Sequence, residues 1–317
     1  MTFGHQCDER TSFAILDRAW EAGVNFIDTA DVYPLPVEFS TVGATETFIG
    51  NWLKNHAGRR HEVILATKCN GRMSATINDE GLSRRHILDA VDASLKRLQT
   101  DFIDLYQVHS FDPNTPLDET LHTLDYLVHS GKVRYIGCSN YLAYQLGKAL
   151  WISDKHGIAH YDCIQPRYNL LFREFENELF PLCKEEGVGV IAYNPLAGGF
   201  LTGKHDQSVG PQEGGRFALG QAGVLYRGRY WHDEHFQAVE SMKQFFKGRG
   251  KPLTQVALAW VLSRPVVTSA IVGASKPEHL NESLPAVDLK LEDEELKFLD
   301  GIWYTLPRND NPQFAVR

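Results

Sequence analysis

The sequence predicts an α/β chain that closes into a (β/α)8 barrel, and three observations carry that expectation. Short apolar or β-branched runs recur along the chain, each ending on a polar residue and giving way to a helical pattern. Strand alternating with helix argues for a parallel sheet. Six of the runs end at Asp28, Lys68, His109, Ser139, Gln165 and Tyr193, so successive ends lie 40, 41, 30, 26 and 28 residues apart. Each step is about the length of one strand–helix unit with its loops. Finally, no glycine fingerprint follows the first run, although a doubly wound open sheet usually carries one there.

The elements follow in order. The first run is 26–28 and the second 63–68. Behind the second come Ile87, Val91, Leu95 and Leu98 at helical spacing. The run 103–109 precedes a second such series, Leu117, Leu121, Leu124 and Leu127. Runs at 135–140, 163–165, 188–193 and 270–273 complete seven strand candidates. An eighth strand falls to residues 1–4. The step from Tyr193 to Gly273 is 80 residues. It must hold extra material: a Gly-rich loop over 198–228, a helix near 236–246 and another over 254–262. The string GVGVIA at 187–192 fits a dinucleotide fingerprint as letters, but it enters a strand rather than leaving one, and it reads as a helix-to-strand turn.

Composition excludes several function classes. The chain has 317 residues, 43% of them hydrophobic and 23% charged, which is ordinary for a globular protein and unlike a disordered or collagenous one. No apolar run approaches the ~18 residues of a membrane span. The first ten residues, MTFGHQCDER, hold no apolar core of a secretory signal. A net charge of −8 argues against a general nucleic-acid binder. The five cysteines, Cys7, Cys69, Cys138, Cys163 and Cys183, include no CxxC pair and read as buried reduced thiols of a cytoplasmic protein. His232 and His235 stand three apart without further ligands nearby, so no metal site is expected. Tyr230 and Trp231 are read either as lining a substrate mouth or as packing on the insertion helix. Arg227 and Arg229 are read as surface charge.

In a barrel the active site lies where the strands end, which singles out Asp28, Lys68, His109, Ser139, Asn140, Gln165 and Tyr193, with Tyr33 five residues past the first run. A free tyrosine has a pKa of ~10. An ammonium beside it stabilises the phenolate and lowers that value, and a carboxylate beside the lysine keeps the lysine charged and fixed. A neutral histidine can then orient a carbonyl. Such a set suits proton donation to an oxygen that is receiving a hydride. Asp28 and Lys68 taken alone read equally as a structural ion pair.

These residues sit in strings that resemble the aldo-keto reductase superfamily. The strings are VNFIDTADVY at 24–33, ATK at 66–68, IDLYQVH at 103–109, GKVRYIGCSN at 131–140, QPRYN at 165–169 and YNPLAGGFLTGK at 193–204. The resemblance runs from about Gly4 to Arg308. It is strongest to a bacterial branch of Tas-like reductases and potassium-channel β-subunit-like proteins. It implies a single-domain (β/α)8 TIM barrel over 1–317, with a long insertion after strand 7 and without the N-terminal hairpin of relatives. It also implies an NADP-dependent enzyme that reduces a small carbonyl substrate, with no metal, nucleic-acid or membrane partner. By resemblance Asp28, Tyr33, Lys68 and His109 form the catalytic tetrad, with Tyr33 as general acid. Asp28 also borders the cofactor. Ser139, Asn140 and Gln165 hold the nicotinamide carboxamide and Tyr193 stacks on its ring. Asn194, Pro195, Leu196, Ala197, Gly198 and Lys204 cover the pyrophosphate. Arg216 stands near the adenosine phosphate, and Gly273, Ser275, Lys276, His279 and Glu282 wrap the adenosine end. His279 and Ser283 depart from the glutamine and asparagine common there.

Two rival readings share the fold. One is a cofactor-sensing regulatory subunit like a channel β subunit. The other is a glycosidase, which needs two carboxylates at strand ends, where only Asp28 qualifies.

Overall fold

The computed structural model describes residues 1–56 and 58–307; Arg308, the end of the resemblance, lies outside them. The fold is α/β with seven parallel strands among the described residues. The chain divides into two compact units.

The first unit comprises Met1–Gln165, Lys184–Gly189 and Gly273–Pro277. Five of its strands are β1 (Phe26–Asp28), β2 (Ile64–Cys69), β3 (Ile103–Val108), β4 (Val133–Ser139) and β5 (Tyr161–Gln165). Each pairs in parallel with the next, in chain order. The register sets Lys68 opposite Gln107, Gln107 opposite Gly137, and Gly137 opposite Cys163. Side chains alternate between faces along a strand, so Lys68, Gln107 and the ends Asp28, Ser139 and Gln165 belong to one face. The helices between these strands bury the stripes read from the sequence. Ile87, Val91 and Leu98 on Arg84–Leu98, and Leu121, Leu124 and Leu127 on Leu117–His129, are fully buried. The first helix, Glu9–Glu21, is capped by the Asp8 carboxylate, which accepts from the Thr11 N–H at 2.8 Å. That satisfies one of the helix's orphan donors.

The second unit comprises Pro166–Cys183, Val190–Val272 and the chain from Glu278 on. Here β6 (Gly189–Ala192) pairs in parallel with β7 (Val267–Ala270). Between them lie the single turns Ala197–Thr202 and Arg216–Ala218 and the helices Gly220–Tyr230, Asp233–Phe246 and Leu253–Leu262. Leu253–Leu262 buries every residue from Val256 to Val261. Its Trp260 stacks on Tyr168 and donates from Nε1 to Asp300 at 2.9 Å. Phe200, Phe217, Trp231 and Phe236 form an aromatic cluster around His205.

Four expectations need correction. Residues 1–4 form no strand; Phe3 makes an isolated bridge with Cys7 across a turn, so the eighth strand is missing among the described residues. The last strand is Val267–Ala270 rather than 270–273, because its pairing to Val190–Ala192 ends at Ala270. The last stretch of the expected Gly-rich loop, from 220 on, is the helix Gly220–Tyr230. Burial of Tyr226 and Tyr230 holds it, overriding the ~1 kcal/mol that each glycine costs a helix. Arg229 is buried on that helix rather than exposed, and Arg227 donates to the Phe217 carbonyl. All five cysteines are buried, and none is in a disulfide. Among the described residues no helix is long and apolar enough to cross a membrane.

One glycine sets a helix separation. A Cβ on Gly50, within Ala44–Asn55, would stand 2.2 Å from the Arg97 carbonyl oxygen and 2.8 Å from the Leu98 carbonyl carbon. Both are backbone atoms that cannot turn aside. Gly50→Ala is therefore expected to destabilise the protein by about 1–3 kcal/mol, the usual range for overpacking, despite alanine's better helix propensity. Urea unfolding of the variant checks this, and an unchanged midpoint would contradict the close approach.

Candidate active site

Four residues ending or following the first three strands meet in the first unit. Lys68 is fully buried in β2. Its Nζ donates to Asp28 Oδ1 at 2.5 Å and to the Thr29 carbonyl at 2.7 Å. Asp28 is nearly buried, with 8% of its side chain exposed. A buried ion pair needs further hydrogen bonds to offset its desolvation, and Asp28 has them. Its Oδ2 accepts from Gln107 Nε2 at 3.1 Å and from Gln165 Nε2 at 2.9 Å. The Lys68 Nζ also lies 5.5 Å from the centre of the Tyr33 ring. Tyr33 Oη and His109 Nε2 are 3.4 Å apart, their rings nearly perpendicular.

The electrostatics separate these groups. Desolvation, with the Lys68 charge second, pulls the His109 imidazolium pKa down from 6.5 to about 3, so His109 is neutral at any ordinary pH. A neutral ring beside a phenol can accept its proton or donate to a bound oxygen. The Lys68 ammonium places a positive charge near the phenol ring.

The next strand ends complete this cluster. The Ser139 hydroxyl donates to the Gln165 carbonyl at 2.7 Å. Asn140, at φ 56°, donates its own N–H to the same carbonyl at 3.3 Å and its Nδ2 to the His109 carbonyl at 2.9 Å. The side chains that follow β3, β4 and β5 are thereby tied together. Gly273, Ser275 and Lys276 also belong to this unit. The N-terminal turn pins that segment: Thr2 Oγ1 donates to the Ala274 carbonyl at 2.8 Å and Cys7 Sγ to the Ser275 carbonyl at 3.3 Å. Lys276 is exposed, and Pro277 opens the helix Pro277–Ser283, as its fixed φ suits. His279 and Glu282, on that helix, fall in the second unit.

The second unit gathers the remaining expected residues. Tyr193 follows β6, and its N–H and carbonyl bond to the Pro166 carbonyl and the Tyr168 N–H at 2.9 and 3.1 Å. Asn194, Ala197, Gly198 and Gly199 all have positive φ. The Asn194 side chain accepts from the Gly198 N–H at 2.5 Å and donates to Tyr230 Oη at 3.0 Å. Pro195 and Leu196 lie inside that turn, and Lys204, just past it, is exposed. A Cβ on Gly198 would meet the Tyr226 ring at 2.5 Å. Arg216 stands 5.6 Å from the Tyr226 ring centre, and its Nη1 is buried with no hydrogen-bond partner among the described residues. A buried guanidinium nitrogen left in this way suits an anionic group, and the donor set fits a dinucleotide phosphate. Tyr230 is buried rather than lining a mouth, and Trp231 packs in the aromatic cluster.

Three polar residues of this region escaped the sequence reading. Gln107 is fully buried against Asp28; its signal was its place two residues before His109, on the same face of the strand. Asp31 is fully buried, and desolvation, with the Glu46 charge second, pushes its carboxyl well above the ordinary range. Arg167 is buried with its guanidinium 3.6 Å over the Phe172 ring. Neither residue had a sequence signal.

The sequence model of the Aldo/keto reductase family matches residues 1–304. The chain belongs to the aldo/keto reductase family. It is 37% identical to Uncharacterized oxidoreductase YrpG of Bacillus subtilis over 318 residues, covering 99% of this chain and 93% of that protein. It is 36% identical to Protein tas of Escherichia coli over 332 residues, 97% of this chain and 94% of that one. Similarity extends to a probable voltage-gated potassium channel subunit beta of Arabidopsis thaliana, 34% identical over 91% of this chain and 85% of that protein.

For this aldo/keto reductase, the neutrality of His109 has a measurable consequence. The unfolded chain takes up the imidazole proton near pH 6.5. The native site refuses it until about pH 3. Between those values His109 erodes stability as pH falls, by up to ~1.4 kcal/mol per pH unit. Its ring resonances in NMR spectra are expected to stay constant from pH 8 to pH 5. A titration in that range would show that the imidazole is solvated.

Proposed function

We propose that this aldo/keto reductase is a cytoplasmic NADP-dependent oxidoreductase on a (β/α)8 barrel, reducing a small aldehyde or ketone to the alcohol with Tyr33 as general acid. The observation that carries this reading is the arrangement of one phenol against one neutral imidazole, with a buried ammonium–carboxylate pair beside the phenol. When bound, the nicotinamide supplies the hydride. Ser139, Asn140 and Gln165 would hold its carboxamide and Tyr193 its ring. Asn194 to Gly198, Lys204 and Arg216 would hold its phosphates, and Gly273, Ser275, Lys276, His279 and Glu282 its adenosine end.

The chain's own residues account for the proton. Tyr33 Oη gives its proton to the substrate oxygen as negative charge develops there. Lys68 stabilises the phenolate left behind, and Asp28 holds Lys68 charged and in place. His109 stays neutral, so it can donate one hydrogen bond to the substrate oxygen without competing for the proton. Alcohol oxidation uses the same groups in reverse.

The test follows NADPH absorbance against a panel of carbonyl compounds. Tyr33→Phe keeps the ring and removes the proton; kcat is expected to fall roughly 10²–10⁴-fold with cofactor affinity nearly unchanged. Turnover at the wild-type rate would remove Tyr33 from the mechanism. The similarity to channel β subunits supports a second reading, a cofactor-sensing subunit. It predicts tight cofactor binding without turnover across the panel.

Cofactor choice is tested separately. NADPH carries a 2′-phosphate that NADH lacks, and Ser275 and Lys276 are its proposed partners. A charge-assisted hydrogen bond contributes ~1.5–3 kcal/mol, about 10–150-fold in affinity. NADPH is therefore expected to bind at least tenfold tighter than NADH, and Lys276→Ala to weaken NADPH alone. Equal dissociation constants for the two cofactors in the wild type would displace the phosphate from Ser275 and Lys276.

A further inference from the structure

We infer that Gln107 is a positioning residue that, together with Asp28, fixes how the Gln165 carboxamide is presented to the cofactor. The inference rests on the proposal that Gln165 holds the nicotinamide carboxamide. A glutamine amide has a donor end and an acceptor end of nearly the same shape, so a half-turn about its last torsion exchanges them. Gln165 has both of its donors engaged. Its Nε2 gives to Asp28 Oδ2 at 2.9 Å and to Gln107 Oε1 at 3.2 Å. The Gln107 Nε2 in turn gives to the same Asp28 oxygen at 3.1 Å. Three side chains therefore close a triangle in which every bond has a defined direction. Asp28 can only accept, because its other oxygen is held by the Lys68 ammonium at 2.5 Å. That forces Gln107 to turn its Nε2 toward Asp28 and its oxygen toward Gln165. The Gln165 oxygen is left as the end presented to a ligand amide.

The fold makes room for this. Gln107 sits between Lys68 and Gly137 in the register of the sheet. A Cβ on Gly137 would stand 3.3 Å from Gln107 Cγ and 2.7 Å from Cys163 Sγ, so only glycine leaves the side chain its path. Gln107 is wholly buried and Gln165 is 4% exposed. Water therefore competes little for the triangle's bonds. Without Gln107, the Gln165 Nε2 keeps its bond to Asp28 but loses its second anchor, so the plane of the amide is free to swing about that bond.

The experiment measures binding to the whole protein by intrinsic tryptophan fluorescence, using NADP+ and 2′,5′-ADP, which lacks the nicotinamide. Gln107→Leu removes both bonds of Gln107 at similar volume. NADP+ is expected to bind about tenfold more weakly, the order of one or two lost hydrogen bonds, while 2′,5′-ADP binds as in the wild type. Equal losses for both ligands would make Gln107 merely structural, and no loss for either would overturn its role. A wild type that binds neither ligand would instead overturn the functional reading itself.

Gln107→Glu gives an independent readout, also where the leucine variant folds poorly. As a neutral acid it can donate to Asp28 and accept from Gln165; as a carboxylate it can only accept and repels Asp28. The ratio of variant to wild-type NADP+ dissociation constants should therefore approach one at low pH and grow tenfold or more as pH rises. A ratio independent of pH would overturn the inference.

Discussion

The buried pair of Lys68 and Asp28 is the interaction on which the rest of the candidate site depends. An ammonium with no solvent exposure is tenable only where its charge is met at close range. Here it is met by one carboxylate oxygen and one backbone carbonyl. The other carboxylate oxygen then has to be satisfied, and the amides of Gln107 and Gln165 do so. The Lys68 charge also reaches outward. It stands near the Tyr33 ring, and it adds to the desolvation that keeps His109 neutral. The proposed proton donor, the neutral imidazole and the anchored amide therefore share one electrostatic origin.

That charge can be buried because adjacent strands supply its partners at short range. Lys68 lies in β2, Asp28 ends β1, and Gln107 stands beside Lys68 on β3. Parallel pairing in chain order brings residues some forty positions apart into a single layer. The same compactness buries Asp31 beside Glu46, and desolvation, with that charge second, raises its pKa, while the Arg97 and Lys68 charges act against the rise.

The second unit works through backbone geometry and arginine rather than through an ion pair. Four residues of positive φ between Asn194 and Gly199 turn the chain sharply after β6. Asn194 closes that turn from within, and the Tyr230 hydroxyl receives both Asn169 and Asn194. Helix Gly220–Tyr230 thereby supports the turn through Tyr226 and Tyr230, which explains how a segment rich in glycine comes to be helical.

Much of the site was legible in the sequence because strand-end residues are conspicuous: Asp28, Lys68, His109, Ser139 and Gln165 each interrupt an apolar run with a group that a core would not otherwise hold. Their order along the chain, with the strings around them, also determined the family. What the sequence left open depended on neighbours distant in the chain. Gln107 reads as one more letter of a strand until its amide is seen between Asp28 and Gln165. Arg229 reads as surface charge until helix Gly220–Tyr230 turns it inward. The last strand was misplaced by three residues because its limits are set by pairing with Val190–Ala192 and not by its own composition. A residue's chemical type is local and is written in the sequence. Its protonation state, the direction of its hydrogen bonds and its burial are set by what surrounds it, and only the tertiary structure decides those.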